Sequence, residues 1–228
     1  MKNLLIVVIS LLVLSGCNEN ISRTNVSIDP PPIKSPIITN SVDKANVPPT
    51  VYLAKSEEFD RVIGWVSETQ IMFVEINKEG SHVYTYDLKR HKKTHVITVD
   101  MPIIDVKIHP SKTHFALIMS DNSIQATIGI YELEGTKVDE FSIESSEVVF
   151  EWHPLNVDQM IVTAFYEDWT FDTFTYSSKT QAMSLISSTQ PFLKWSSNNQ
   201  LVGVDWKEND ALSGGHITEI SSTDGTIS

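Results

Sequence analysis

Residues 151–165 read EWHPLNVDQMIVTAF. A short β-rich run ends at Trp152, His153 and Pro154 follow, and an apolar run resumes at Met160. Upstream, KIHPSKTHFALIMS (107–120) puts Ile108, His109 and Pro110 in the same places. Proline presets its own φ and biases the preceding residue away from helix, so each His-Pro pair reads as a turn between two strands. Two more stretches share the outline, RVIGWVSETQ (61–70) and PFLKWSSNNQ (191–200). Aligned on Trp65, Ile108, Trp152 and Trp195, the four are 43, 44 and 43 residues apart.

A second marker keeps the same beat. Tyr86, Tyr131 and Tyr176 are 45 residues apart, and Ile220 comes 44 later. Each lies in a third β-rich run and is followed by a hairpin-like turn: DLKRHKK, ELEGTK, SSKTQ and SSTDG. A fourth run, THVITVD, KVDEFSIE or AMSLISS, closes the first three units. Two markers at one interval set units at about 59–102, 103–145, 146–189 and 190–228. Four strands per unit of roughly 40–45 residues is the pattern of β-propeller blades. One such sheet cannot bury both faces alone, whereas radially stacked sheets bury them against each other. The expected class is all-β, a propeller of four-stranded antiparallel blades. A β-sandwich also has short, evenly spaced strands, but internal repetition favours the propeller.

The chain before the repeats has another texture. Lys2 precedes the eleven-residue apolar run LLIVVISLLVL (4–14). A spanning helix needs about twenty apolar residues, so this run reads as the core of a secretory signal. Leu14-Ser15-Gly16-Cys17 then resembles the lipobox of bacterial lipoproteins. That resemblance implies cleavage after residue 16 and a diacylglyceryl group on Cys17, palmitate-type chains that hold the protein to a membrane. Two acyl chains anchor stably where one does not. Cys17 is also the one cysteine of the chain, so no intrachain disulfide is expected. Residues 17–50 carry six of the ten prolines: Pro30, Pro31, Pro32, Pro36, Pro48 and Pro49. Such a segment is a semi-stiff extended tether, leaving 51–228 for the partial propeller.

The unit pattern, with Trp65-Val66-Ser67 or Ile108-His109-Pro110-Ser111 closing a first strand and Tyr86-Asp87-Leu88 or Tyr131-Glu132-Leu133 closing a third, is similar to that of YqgU-like propeller lipoproteins of Gram-positive bacteria. The motifs are loose and shared with TolB-like and WD40-like propellers. The resemblance implies a six-bladed ring on a lipid anchor at the outer face of the cell membrane, and it carries no catalytic residues with it. Four units are visible, and two more would need about 90 residues. The chain is therefore expected to be a fragment of such a ring, or a four-unit structure in which TVYLA (50–54) supplies a strand. An open arc would expose inter-blade surface and be marginally stable.

Charge and motifs limit the function. The net charge is −12, which argues against nucleic acid as partner. No GxSxG, CxxC, HExxH or EF-hand pattern occurs, so no enzyme is expected. His109 and His153 sit in equivalent turns of different units, which should keep them apart on the rim. A metal needs three or four convergent ligands, so their reading is structural and no metal site is expected. The connections between second and third strands all carry acids: Glu79, Asp121, Glu167 with Asp168, and Glu208 with Asp210. The third adds Trp169 and Phe171. This rim has the chemistry for a divalent cation, a cationic ligand over the ring or a basic protein partner. It is equally the solvated edge of an acidic protein. The reading is a binding or scaffolding module with a protein or peptide partner. The alternatives are an enzyme or sensor completed by further blades, or a remnant without function.

Overall fold

The structure is a computed structural model that describes residues 58–197, 200–205, 214–223 and 225. Within them the chain forms strands β1 (Phe59–Trp65), β2 (Gln70–Asn77), β3 (Gly80–Asp87), β4 (Lys92–Val99), β5 (Ile103–Ile108), β6 (His114–Met119), β7 (Gln125–Glu132), β8 (Lys137–Glu144), β9 (Glu147–Trp152), β10 (Gln159–Phe165), β11 (Phe171–Ser177), β12 (Ala182–Ile186), β13 (Lys194–Trp195), β14 (Gln200–Asp205) and β15 (His216–Ser221). They make four sheets in strict chain order, β1–β4, β5–β8, β9–β12 and β13–β15, with every neighbour antiparallel. Each sheet is a blade. Cys17, the tether, TVYLA and any fourth strand of the last sheet lie outside the described residues.

The burial pattern follows strand rank. Second strands are covered on both faces, so β6 (HFALIM) and β10 (QMIVTAF) read as nearly continuous apolar runs. Fourth strands face outward, and four of the five residues of β12 are exposed. The core lies between blades. Met72, Val74, Val83 and Ile97 of the first pack on Phe115, Leu117, Met119 and Tyr131 of the second. Ile118, Ile128, Ile130 and Ile143 of the second pack on Phe150, Trp152, Met160, Val162 and Tyr176 of the third. Ile161 and Ile186 of the third meet Leu193, Leu201 and Ile220 of the fourth. Full burial of each such side chain stabilises by about 1.5–3 kcal/mol, so the stacking of blades rather than any single sheet holds the fold. One glycine is required by this stacking. Gly135 has φ +99°, and a Cβ there would stand 2.4 Å from the Val96 carbonyl oxygen of the neighbouring blade.

The four marker positions do not share one environment. Trp152 is buried, Ile108 and Trp195 are half-buried, and Trp65 is 52% exposed. Trp65 holds the place of Trp152 in its own blade but is not covered like it. The reason for the difference is directional: this side chain covers the preceding blade, and no preceding blade is among the described residues. The face of the first sheet turned away from the second blade is also more polar than its counterparts. In its middle Lys93 Nζ donates to Oε1 and Oε2 of buried Glu75 at 2.6 and 2.5 Å and lies 3.8 Å over the Tyr84 ring. Beside them His82 bonds Thr98 Oγ1 and Asn77 Oδ1 at 2.8 and 2.9 Å. At the other end of the row, Ile217 of β15 is 78% exposed.

Candidate functional site

The two histidine turns touch, contrary to their expected separation around the rim. His109 is 1% exposed, and its Nδ1 accepts the Ser111 backbone N–H at 3.0 Å. That leaves the ring proton on Nε2, which donates to the His153 carbonyl at 2.9 Å. The Trp152 ring stands edge-on to His109 with centroids 5.2 Å apart, and its Nε1–H donates to the Lys107 carbonyl at 3.2 Å. One blade further on, Trp195 stands 4.5 Å from His153, whose Nδ1 accepts the Leu155 and Asn156 N–H groups. Each tryptophan thus closes on the imidazole of the blade before it. Between the first two blades buried Val66 and half-buried Ile108, in one apolar cluster, take these places.

Burial pushes the His109 imidazole below its ordinary value of 6.5. The folded protein then binds fewer protons than the unfolded chain, so this stability is present above about pH 6.5 and lost as pH falls below it. The unfolding midpoint should drop between pH 7.5 and 5.5, and His109→Gln should flatten that part of the profile. A profile unchanged by the substitution would count against the lock.

Further contacts tie blade to blade. Asp139 of β8, buried, accepts the Tyr176 hydroxyl of β11 and the Gln181 Nε2–H at 2.9 Å. Burial and this carboxylate hold the Tyr176 hydroxyl well above the usual phenol range. The Tyr176 ring also stacks on Phe141 at 3.9 Å. On the inner strands, Glu151 takes Lys107 at 3.4 Å and also Lys194, and Arg61 donates to the Ile103 and Ile104 carbonyls at 2.6 and 3.0 Å.

The opposite end of the blades carries the acidic loops. Antiparallel order puts every connection between second and third strands at the end shared by the links between blades. Ser120, Ser145 and Ser146 N–H groups bond the Pro102, Ile124 and Phe165 carbonyls and join the two kinds of loop. Glu79 is exposed in a two-residue turn, where Asn77 Oδ1 accepts its N–H at 2.8 Å. Asp121 is exposed and accepts Asn122 Nδ2–H at 2.7 Å. Glu167 is exposed beside Asp168, whose Oδ1 accepts the Thr170 N–H and hydroxyl at 3.1 and 2.6 Å. The Thr170 hydroxyl, then its N–H, hold the Asp168 carboxyl below its usual range. Trp169 caps this turn with φ +68° and is 94% exposed. Glu208 and Asp210 lie outside the described residues. The acids are set out along the blades rather than gathered. Among the described residues no three His, Cys, Asp or Glu side chains converge as a metal site would need.

The sequence reading placed Trp169 and Phe171 at this end but missed Phe165 and Phe192. Phe192, in the link to the fourth blade, is 63% exposed and rests on Phe165 with centroids 5.5 Å apart. Phe165 in turn meets Phe171 at 6.0 Å.

The model of the YqgU-like 6-bladed β-propeller domain matches residues 87–226. The chain belongs to this family. It is 26% identical over 144 residues to the uncharacterized lipoprotein YqgU of Bacillus subtilis (strain 168), covering 63% of this chain and 40% of that protein. An uncharacterized protein of Listeria monocytogenes EGD-e superposes with a TM-score of 0.70 at 18% identity, covering 76% of this chain and 54% of that one. The acylaminoacyl peptidase of Pyrococcus horikoshii gives 0.52 at 12% identity, covering 75% and 31%. At these identities the structural likenesses establish the propeller fold. The chain spans about half the length of the Listeria protein and less of the Bacillus relative.

Proposed function

We propose that this YqgU-like chain is a lipid-anchored extracytoplasmic module that works by binding or scaffolding rather than catalysis, meeting a protein partner at its acidic loop end. Exposed Trp169 carries the reading. An indole left in water on a turn fixed by Asp168 and Thr170 is preordered contact area, flanked by Glu167 and Asp168. The polar groups that could have suggested chemistry are spent on the fold: His109 and Asp139 join blades, and Glu75 holds Lys93. The lipobox at Cys17 and the relative named as a lipoprotein support the anchor at the outer face of a Gram-positive cell membrane.

Three measurements test this. Metabolic labelling with a palmitate analogue should mark the full chain and not Cys17→Ser, and the variant should move from membrane to medium. An unlabelled chain sinks the anchor. Crosslinking capture from membranes should recover a partner in good yield with the native chain and several-fold less with Trp169→Ala, and equal yields would place the contact elsewhere. Calorimetry with calcium and with zinc should give no stoichiometric heat.

A further inference from the structure

We infer that the seam between the third and fourth blades seats one neutral sugar ring, in a cleft at the histidine-turn end. This surface lies away from the acidic loops, and the inference stands apart from the protein-partner reading above.

The comparison that carries it is between successive seams of one repeat. Between the second and third blades, the Tyr176 hydroxyl and the Gln181 amide both reach Asp139, and the Tyr176 ring stacks on Phe141. One repeat later Ile220 stands for Tyr176, Ser184 for Asp139 and Gly225 for Gln181. All three members of the tie are replaced by smaller residues. Asp139 is buried, whereas Ser184 is exposed. In place of the tie is a cleft of about 230 Å³, lined by Gln159, Thr175 and Ser184 of the third blade and by Trp195, Ser222 and Thr223 of the fourth. The two sets face each other. Thr175 pairs with Ile161 and Ser184 in the ladder, Trp195 pairs with Leu201, and Ile161 packs on Leu201 and Ile220 across the seam.

The seam is short of hydrogen-bond partners as well as volume. The Trp152 Nε1–H donates to the Lys107 carbonyl across the preceding seam, but the Trp195 Nε1–H is buried with no acceptor among the described residues. Native proteins rarely leave such a donor unpaired. The side chains of Gln159, Ser184 and Thr223 make no hydrogen bond among the described residues. The Thr175 hydroxyl reaches only the Ser184 carbonyl, at 3.5 Å.

The lining sets the class of guest. None of the six residues carries a charge, although the chain as a whole has a net charge of −12. An ionised guest would lose hydration there and gain no counter-charge. Hydroxyls and an amide both donate and accept, as the hydroxyls of a sugar do, and the indole offers an apolar patch to a sugar's C–H face. The volume is below the roughly 300–1,000 Å³ of clefts for drug-sized ligands, which suits a single ring.

The test is saturation-transfer NMR on the full chain with glucose and N-acetylglucosamine, and with glucuronate and glucosamine as charged controls. Saturable transfer is expected to one or both neutral sugars, with the charged rings at least tenfold weaker. Thr175→Val with Ser184→Ala should weaken binding about tenfold or more at an unchanged unfolding midpoint. Ile220→Tyr with Ser184→Asp rebuilds the tie of the preceding seam and should abolish binding while raising the midpoint. If that bulkier variant fails to fold, the first decides. No transfer to either neutral sugar, equal binding of the charged rings, or undiminished binding by the Thr175 and Ser184 variant would overturn the site. A tenfold gain from one N-acetylglucosamine to its tetramer would overturn the limit to a single ring.

Discussion

Trp152→Ala should lower the unfolding free energy by about 3–5 kcal/mol, the range for emptying a large aromatic from a core. The ring is 6% exposed and packs in the cluster that joins the second and third blades. It stands edge-on to Phe150 as well as His109, at 6.1 and 5.2 Å. Truncation also removes the bond from Nε1 to the Lys107 carbonyl. Because the blades cohere mainly through these interfaces, the loss should appear in the single cooperative transition of urea unfolding rather than as local fraying. Trp65→Ala supplies the control. It alters the same position of the repeat, but half its surface is already in water, and its effect should stay below about 1 kcal/mol. Equal losses from the two variants would show that the repeat position, not the interface, sets the energy.

Asp139→Ala should cost about 3–5 kcal/mol, because it removes the charged acceptor of two hydrogen bonds that contribute about 1.5–3 kcal/mol each. The carboxylate is the acceptor for both the Tyr176 hydroxyl and the Gln181 amide, and all three lie where one blade meets the next. Its removal leaves the buried Tyr176 hydroxyl without its acceptor, while the exposed Gln181 amide turns to water. Hydrogen bonds to a charged group contribute about 1.5–3 kcal/mol each, so Tyr176→Phe should cost less than the alanine change. Asp139→Asn should fall between them. Thermal melts at neutral pH of the three variants check the order, and a harmless Asp139→Ala would refute the tie.

Repetition made the blades legible. Trp65, Ile108, Trp152 and Trp195 mark the ends of first strands because every blade must turn at the same height, and the tyrosines mark third strands for the same reason. Contact between blades is a different matter. His109 and His153 are 44 residues apart, and their spacing announces a repeat without saying that one turn bonds the next. Asp139 sits in KVDEFSIE among other acids and looks like one more solvated carboxylate. Its burial depends on Tyr176, contributed by the following blade. Trp65 shows that a marker residue fixes the place in the repeat and not the cover it receives, since it is 52% exposed where Trp152 is buried. The acidic loops were visible one by one, but Phe192 carries no periodic signal, and only the fold brings it onto Phe165.

The claim at the centre is that the EWHP turn locks blades together instead of holding a ligand. A double-mutant cycle on His109→Asn and Trp152→Phe, measured by urea unfolding with and without zinc, tests it most directly. The lock predicts a coupling of about 0.5–1.5 kcal/mol, as for paired aromatic rings, unchanged by the metal. Additive effects within about 0.3 kcal/mol, together with a zinc-dependent stabilisation lost when His109 is changed, would contradict it.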